Sequence, residues 1–412
     1  MASTKVALDR PLRILLTGAS GYVGQHLLRE WLAVFATDNK DTIPSGPSRS
    51  LLEFLLSTVD GSQAHPGALL HVVAQCHSKA SQLQESLASL VNSAAPRMTV
   101  QVVPVDVSDP EQLKAFLSQQ EKQPHGRPFH VVIHTAALSS PRFCQTNADS
   151  SYKLNVQPTK ALLQSASRLA VMFSTDQVYP GTDPPYGEES VVLSLTNSNA
   201  DTTKAPCNVY GKTKLQMEQK CLEYALQASS HNADTSTSVM PRIVVLRSSI
   251  VLGPPVSGAH ETFLQFCASQ FRHGIATTYW TTENRNVISI TNVLQILSHL
   301  VFQSLTTGLP SSSSPSLEVY NMGGPASVSR YDMAMAVAQH LLSTESQHLS
   351  SNDITTLVVG QTKTIHEATM ASVPSPLDIS MKVQKIQTIM KDVQGFSWKN
   401  LDDIVHDTFT TS

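Results

Sequence analysis

Short apolar runs alternate with amphipathic stretches through the first 250 residues of the chain. Six runs have the length and composition of buried strands, at residues 13–17, 69–74, 100–105, 130–134, 171–174 and 243–247. Buried runs separated by helical patterns are typical of a parallel sheet that helices cover on both faces. The pattern therefore predicts an α/β fold with a Rossmann-type, doubly wound parallel sheet.

Two segments interrupt this alternation, and a third region departs from it. Residues 38–68 are long for a helix-to-strand connection and contain a helical pattern at 50–59, while the polar residues 194–206 predict a surface loop. Beyond Gly253, helical patterns dominate, at 291–303, 327–342, 380–391 and 399–409. We expect a dinucleotide-binding domain over residues 1–250 and a smaller, mostly helical substrate-binding lobe over residues 251–412.

Composition narrows the class of partner. The 412 residues carry a formal net charge of -3, which provides no basic field for nucleic acid. The chain has no apolar run of about 18 to 20 residues, and its charged start lacks a signal-peptide pattern, so we expect no membrane contact and a cytoplasmic location. Five cysteines without a C-x-x-C pair predict neither a disulfide framework nor a zinc site.

A glycine-rich turn follows the first predicted strand directly. The sequence Gly18-Ala-Ser-Gly-Tyr-Val-Gly24 leads into a helical pattern. Glycines there allow a sharp turn, a close approach of the backbone to a pyrophosphate, and tight packing of helix on strand. The pattern predicts a dinucleotide site in which six residues of the turn take part: Gly18, Ser20, Gly21, Tyr22, Val23 and Gly24.

The end of the second predicted strand bears on the choice of coenzyme. An NAD site commonly has an acidic residue there, whereas this strand ends Gln75-Cys-His-Ser-Lys79. His77, Ser78 and Lys79 could accept a 2′-phosphate, which favours NADP and leaves NAD as the alternative. Lys79 could equally be a solvated residue at a helix start.

The next two strand ends add further candidate coenzyme contacts. Asp106, beside Val107, could accept a hydrogen bond from the adenine amino group or could serve as a turn or N-cap residue. The residues after the fourth strand are small enough for a coenzyme to cross the sheet edge there: Thr135, Ala136 and Ala137.

A tyrosine and a lysine four residues apart open a long helical pattern. Tyr210 and Lys214 face one side of that helix, and an adjacent ammonium should lower the pKa of the phenol toward the working range. The same spacing also occurs by chance in surface pairs. A preceding strand ends in Ser174 and Thr175, either of which could polarise a substrate carbonyl, and we favour Thr175. The set predicts hydride transfer between a nicotinamide and a carbonyl or carbinol carbon.

Several segments together resemble a known family. They are LLTGASGYVG, FSTDQVYPGTDPPYGE, NVYGKTKLQME, VVLRSSIVLG and VYNMGGPASVSRYDMA. The sequence resembles the extended short-chain dehydrogenase/reductases, and within them the dTDP-4-dehydrorhamnose reductase group. That group also includes the regulatory beta subunit of methionine adenosyltransferase.

The resemblance implies roles for individual residues. It implies a Rossmann fold, a nicotinamide coenzyme and a catalytic set of Thr175, Tyr210 and Lys214. It also implies that Asn155 supports the active-site helix beside the coenzyme, and that four residues lie on the substrate side: Ser174, Asp176, Gln177 and Arg285. Arg330 lies in a similar segment. Gln177 stands where the family commonly has an aromatic residue, and this departure concerns the substrate rather than the coenzyme.

Two functions remain open from the sequence. One is an NADP-dependent reductase of a keto group on a nucleotide sugar. The other is a non-catalytic partner of the methionine adenosyltransferase catalytic subunit, which could keep the tyrosine–lysine pair without turnover. An epimerase or a dehydratase is less favoured, because a dehydratase normally needs an additional carboxylic acid beside the hydroxyl position.

Overall fold

The computed structural model describes residues 11–37, 45–58, 68–121, 129–191, 205–231, 241–307, 316–345 and 351–410. In chain order the strands are β1 (Leu12–Thr17), β2 (Leu70–Cys76), β3 (Met98–Pro104), β4 (Phe129–His134), β5 (Ala166–Thr175), β6 (Arg242–Ser248), β7 (Val251–Leu252), β8 (Thr277–Trp280), β9 (Asn284–Arg285), β10 (Ile288–Ser289), β11 (Leu317–Met322), β12 (Val328–Ser329) and β13 (Val358–Gln361).

The helices are α1 (Tyr22–Ala36), α2 (Pro47–Ser57), α3 (Ala80–Ala94), α4 (Pro110–Glu121), α5 (Pro141–Thr146), α6 (Ala148–Asn155), α7 (Thr159–Ser165), α8 (Val209–His231), α9 (Phe263–Arg272), α10 (Ile290–Thr306), α11 (Arg330–Thr344), α12 (Ser351–Leu357), α13 (Ile365–Met370), α14 (Gln384–Met390) and α15 (Leu401–Thr410). Two short 3-10 helices follow β5, at Asp176–Val178 and Glu188–Ser190.

Seven strands form one parallel sheet in the order β3-β2-β1-β4-β5-β6-β11. This arrangement confirms the predicted doubly wound α/β fold. The seventh strand, β11, comes after the predicted domain boundary at residue 250. It pairs with β6 along its whole length, so the sheet includes residues from both sides of that boundary. The carboxyl ends of all seven strands lie at one edge, which is where ligands bind in open α/β sheets.

The sheet is buried on both faces. One face packs on α1, α2, α3 and α10 through residues such as Trp31, Leu51 and Leu297. The other face packs on α4, α7 and α8 through residues such as Phe116, Leu163 and Met217. The helix predicted at 50–59 lies at Pro47–Ser57 and packs against α10. Residues 38–44 and 59–67 of the first interruption and 194–204 of the second lie outside the described residues.

A third apolar cluster forms the C-terminal lobe. It joins α9, α11 and α15 through Phe271, Met333, Leu341 and Ile404. The helix predicted at 380–391 is shorter, because Asp378 and its neighbours form bridges with two earlier segments before the helix begins. In the part of the chain that the structure describes, no helix is both long and apolar enough to span a bilayer.

Candidate functional site

The glycine-rich turn is tightly packed against the sheet. Gly18 has a φ of +72°, and a Cβ there would lie 2.6 Å from the backbone nitrogen of Ala136. A Cβ on Gly24 would lie 2.6 Å from the carbonyl oxygen of Gly18. Glycine is therefore required at both positions, for the turn and for the packing of helix on strand. The amino end of α1 begins at this turn, at the sheet edge where a phosphate binds in such folds.

A loop at residues 253–258 lies against the start of α1 and α3. The Tyr22 hydroxyl donates to the carbonyl of Pro254 at 3.0 Å, and Gln25 Nε2 donates to the carbonyl of Ser257 at 3.1 Å. Lys79 Nζ donates to the carbonyl of Gly258 at 2.5 Å. Lys79 is therefore not a freely solvated residue, and its ammonium keeps two further N–H donors, which a 2′-phosphate could accept. His77 and Ser78 are exposed beside it.

The other predicted coenzyme contacts follow β3 and β4. Asp106 Oδ1 accepts hydrogen bonds from the amide and the hydroxyl of Ser108, at 2.9 and 2.6 Å, which is the turn role foreseen as the alternative. Val107 is buried. The Thr135 hydroxyl donates to the carbonyl of Thr17 at 2.7 Å, and the two alanines that follow leave the sheet edge uncrowded. The turn, the helix start and these small residues fit a dinucleotide.

The Tyr210 phenol lies beside the Thr175 hydroxyl at the carboxyl end of β5. Tyr210 is buried, and burial raises the pKa of its phenol, while the neighbouring Thr175 hydroxyl opposes that rise. The Thr175 hydroxyl also lies 3.1 Å from Asp176 Oδ1. The structure thus joins the two hydroxyls that the sequence singled out.

Lys214 is seated differently from the prediction. Its Nζ donates to the carbonyl of Phe173 at 2.9 Å, and burial lowers its pKa to about 8, against the charge of Glu218, which raises it. The expectation that Lys214 lowers the pKa of Tyr210 is wrong for this structure, because burial controls the phenol and raises its pKa.

Ser174 and Asp176 face inward rather than toward an open pocket. The Ser174 hydroxyl donates to Glu218 Oε1 at 2.5 Å inside the core, and the substrate contact predicted for Ser174 stays a prediction. Asp176 Oδ2 accepts a hydrogen bond from Ser249 at 2.9 Å. Burial raises the pKa of Asp176, while the charge of Arg285 lowers it.

Residues 374–382, here called the covering strap, lie beside Gln177. Asn208 Nδ2 donates to Gln177 Oε1 at 2.8 Å and to the carbonyl of Pro374 at 3.1 Å. Arg285 donates to the carbonyls of Pro376 and Leu377, at 2.7 and 3.0 Å. Arg285 therefore holds the covering strap, and the substrate contact predicted for it stays a prediction.

Two further predicted residues have defined surroundings. Asn155 accepts a hydrogen bond from the amide of Leu138 at 2.9 Å and donates to the hydroxyl of Thr213 at 3.1 Å. These contacts support the start of α8, as expected. Arg330 lies 3.6 Å from Glu283, with its guanidinium 4.6 Å above the ring of Phe263.

The sequence analysis missed a buried ion pair behind the site. Glu218 and Arg247 have fully buried side chains, with Arg247 Nη2 2.7 Å from Glu218 Oε2. Arg247 also donates to the Tyr179 hydroxyl at 2.9 Å, which donates in turn to Asn321 Oδ1 at 2.6 Å. An arginine inside a strand that is otherwise apolar was the available signal, because such a charge requires a buried partner.

Comparisons with known proteins agree with this fold. The RmlD substrate binding domain family matches residues 12–400. Methionine adenosyltransferase 2 subunit beta from Pongo abelii is 35% identical over 103 residues, 24% of this chain and 27% of that protein. The Xenopus tropicalis protein of the same name is 28% identical over 216 residues, 51% of this chain and 54% of that protein. The matched segments thus span between about a quarter and a half of these relatives.

Solved structures of low identity share the fold. UDP-glucuronic acid 4-epimerase from Bacillus cereus, in complex with UDP-glucuronic acid and NAD, has a TM-score of 0.59 and 18% identity, with 96% of this chain and 97% of that chain covered. DesIV, a dTDP-glucose 4,6-dehydratase from Streptomyces venezuelae with NAD bound, has a TM-score of 0.58 and 16% identity, with 96% of each chain covered. The match to the family model over nearly the whole chain shows that this protein belongs to the RmlD substrate binding domain family, the dTDP-4-dehydrorhamnose reductase family.

Proposed function

We propose that the chain is a nicotinamide-dependent reductase that acts on the keto group of a nucleotide sugar. The observation that carries the proposal is the placement of the buried Tyr210 phenol beside the Thr175 hydroxyl at the carboxyl end of β5. The glycine-rich turn lies at the same edge of the same sheet, two strands away. A coenzyme on that turn would therefore run along the edge toward these hydroxyls.

The electrostatics of the pair favour reduction. When bound, the nicotinamide supplies the hydride. Burial keeps the Tyr210 phenol protonated, so Tyr210 can donate a proton to a carbonyl oxygen, and Thr175 orients that oxygen. Lys214, with a pKa of about 8, is mostly charged at neutral pH and can hold the ribose hydroxyls of the coenzyme.

NADP is the coenzyme we favour. No carboxylate stands at the end of β2, where one would bind both ribose hydroxyls of NAD. His77 and Ser78 are exposed there. Lys79 follows them directly, and its ammonium donates to the carbonyl of Gly258. The structural neighbours named above contain NAD, so the choice between the two coenzymes is a matter for direct titration.

The test is NADPH oxidation with dTDP- and UDP-linked 4-keto sugars, run with the wild-type chain and with Tyr210→Phe. We expect the turnover rate to fall at least about 100-fold in Tyr210→Phe, because the proton donor is lost. Coenzyme affinity should change little. Tyr152→Phe, at an exposed position on α6, is the matched control and should turn over at the wild-type rate. Equal rates in wild type and Tyr210→Phe would contradict the assigned role.

A second candidate function is a non-catalytic partner of the methionine adenosyltransferase catalytic subunit. The identity to methionine adenosyltransferase 2 subunit beta favours it. Because Ile404, Val405 and Thr408 of α15 are buried in the lobe, a partner contact through this apolar face of the helix would require it to leave α11.

Copurification of the chain with a methionine adenosyltransferase catalytic subunit tests this candidate. A stable complex that changes the synthesis of S-adenosylmethionine, together with no turnover of any keto sugar, would favour it over the reductase. Turnover without a complex would favour the reductase.

A further inference from the structure

Three side chains of α8, spaced four residues apart, contact three consecutive residues at the end of β5. The contacts are Tyr210 with the Thr175 hydroxyl, Lys214 with the Phe173 carbonyl at 2.9 Å, and Glu218 with the Ser174 hydroxyl at 2.5 Å. The first two side chains are the proposed proton donor and the ribose-holding lysine. Glu218 has no direct part in that chemistry, yet it belongs to the same row.

Arg247 fixes the carboxylate of Glu218 from the neighbouring strand β6. Arg247 Nε lies 3.1 Å from Glu218 Oε1 and Nη2 lies 2.7 Å from Oε2, a two-pronged contact with both side chains fully buried. Arg247 is itself held by the Tyr179 hydroxyl at 2.9 Å and the Glu188 carbonyl at 2.8 Å. A bidentate pair of this kind fixes the orientation of the carboxylate in addition to stabilising it, so the Glu218 carboxylate has one available position.

Few other charges reach the Lys214 ammonium. The titratable groups that face it are Glu218 and Cys221 on α8, Cys144 on α5 and His134 on β4, and Tyr210 lies one turn earlier on α8. Burial raises the pKa of the two thiols and of Tyr210, so these groups are neutral. Burial lowers the pKa of His134 to about 3, so it is neutral as well. Among these described neighbours, Glu218 is the one that supplies a negative charge.

We propose that Glu218 is a positioning residue, whose carboxylate, fixed by Arg247, keeps the Lys214 ammonium charged and seated at the end of β5. The inference rests on the proposed function, in which a charged Lys214 holds the coenzyme ribose. It assigns the buried ion pair a role in coenzyme binding beyond the stability of the core.

The experiment follows Lys214 directly by carbon-13 NMR of lysine-labelled protein, with its signal identified by its loss in Lys214→Met. In the wild type we expect a titration midpoint near pH 8. In Glu218→Gln the midpoint should move down by at least about one pH unit, because the neutral amide no longer favours the ammonium. Glu218→Asp keeps the charge and should recover most of the shift. An unchanged midpoint in folded Glu218→Gln would overturn the inference.

Two further variants separate the effect on the Lys214 midpoint from an effect on the stability of the protein. If Glu218→Gln fails to fold, the double variant Glu218→Gln with Arg247→Met removes both charges together, and its midpoint should also be lower than that of the wild type. Glu318→Gln is the matched control, because Glu318 pairs with Arg242 at 2.7 Å on the same sheet, at the opposite end of β6. Its midpoint should equal that of the wild type.

Coenzyme titrations of the same variants separate this inference from the proposed function. At pH 8, Glu218→Gln should bind reduced coenzyme at least about fivefold more weakly than the wild type, and at pH 6 the difference should shrink as Lys214 regains its proton. Absence of coenzyme binding in the wild type would contradict the proposed function. The NMR midpoint would still decide the role of Glu218, because it requires no coenzyme.

Discussion

The two ends of the proposed coenzyme site differ in how much the protein itself determines them. At the end of β5, the buried side chains of Ser174, Thr175 and Lys214 each have a hydrogen-bond partner within the chain, and the ion pair of Glu218 and Arg247 lies behind them. At the end of β2, His77 and Ser78 are exposed, and Lys79 has a single loop carbonyl. If the proposed function holds, the contrast means that the chemistry is built into the core, whereas coenzyme choice depends on a few surface contacts.

The largest expected effect comes from breaking the buried pair. Arg247→Met leaves Glu218 ionised and unpaired in the core, and we expect the free energy of unfolding to fall by about 3 to 5 kcal/mol. Arg242→Met removes the partner of Glu318 at a partly exposed site and should cost about 1 kcal/mol or less. Urea unfolding of both variants measures the difference. Equal losses would show that the proton-transfer end is no more strongly determined than the rest of the sheet.

The glycine-rich turn should show the next largest effect. Gly18→Ala places a Cβ at φ +72° and 2.6 Å from the nitrogen of Ala136, whereas Gly274→Ala has a similar φ of +65° and no atom within 4 Å. Both variants carry the strain of a left-handed residue, about 1 to 2 kcal/mol. Gly18→Ala should lose about 2 kcal/mol more through overpacking.

Coenzyme binding gives a second readout for this pair of glycine variants. Titration of the folded proteins with NADPH should show weakened binding in Gly18→Ala and wild-type affinity in Gly274→Ala. If the two variants lost equal stability and both bound NADPH normally, the close approach at Gly18 would have no importance for the site.

These comparisons also explain what the sequence revealed and what it did not. Strand runs and the glycine turn were readable because apolar periodicity and left-handed backbone depend on local residue types. Tyr210 and Lys214 were found by their spacing. Their electrostatics were misjudged, because burial of the phenol is a property of the tertiary packing and not of the helix alone.

Long-range partners were the features that a single sequence could not supply. Glu218, four residues after Lys214, looks like part of a surface helix pair, and only the fold brings Arg247 to it across 29 residues of chain. Similarly, the partner of Lys79 is the carbonyl of Gly258, which lies 179 residues later in the chain. The length of the helix before residue 391 was overestimated for the same reason, since bridges to distant segments occupy its predicted start.

The smallest expected effect concerns the choice of coenzyme. Lys79→Met should weaken NADPH binding about tenfold, through loss of one charge-assisted contact to the 2′-phosphate, and leave NADH binding within about twofold. Lys114→Met, at an exposed position on α4, is the control and should change neither affinity. A parallel loss of both coenzymes in Lys79→Met would indicate that Lys79 acts through the 253–258 loop and not through the phosphate.

The central claim is that a nicotinamide dinucleotide lies on the glycine-rich turn and extends toward Tyr210. Calorimetric titration of the purified chain with NADPH and with NADH tests it most directly. We predict saturable binding of reduced coenzyme at one site per chain, tighter for NADPH than for NADH. No heat with either coenzyme, from protein shown to be folded by circular dichroism, would contradict the account.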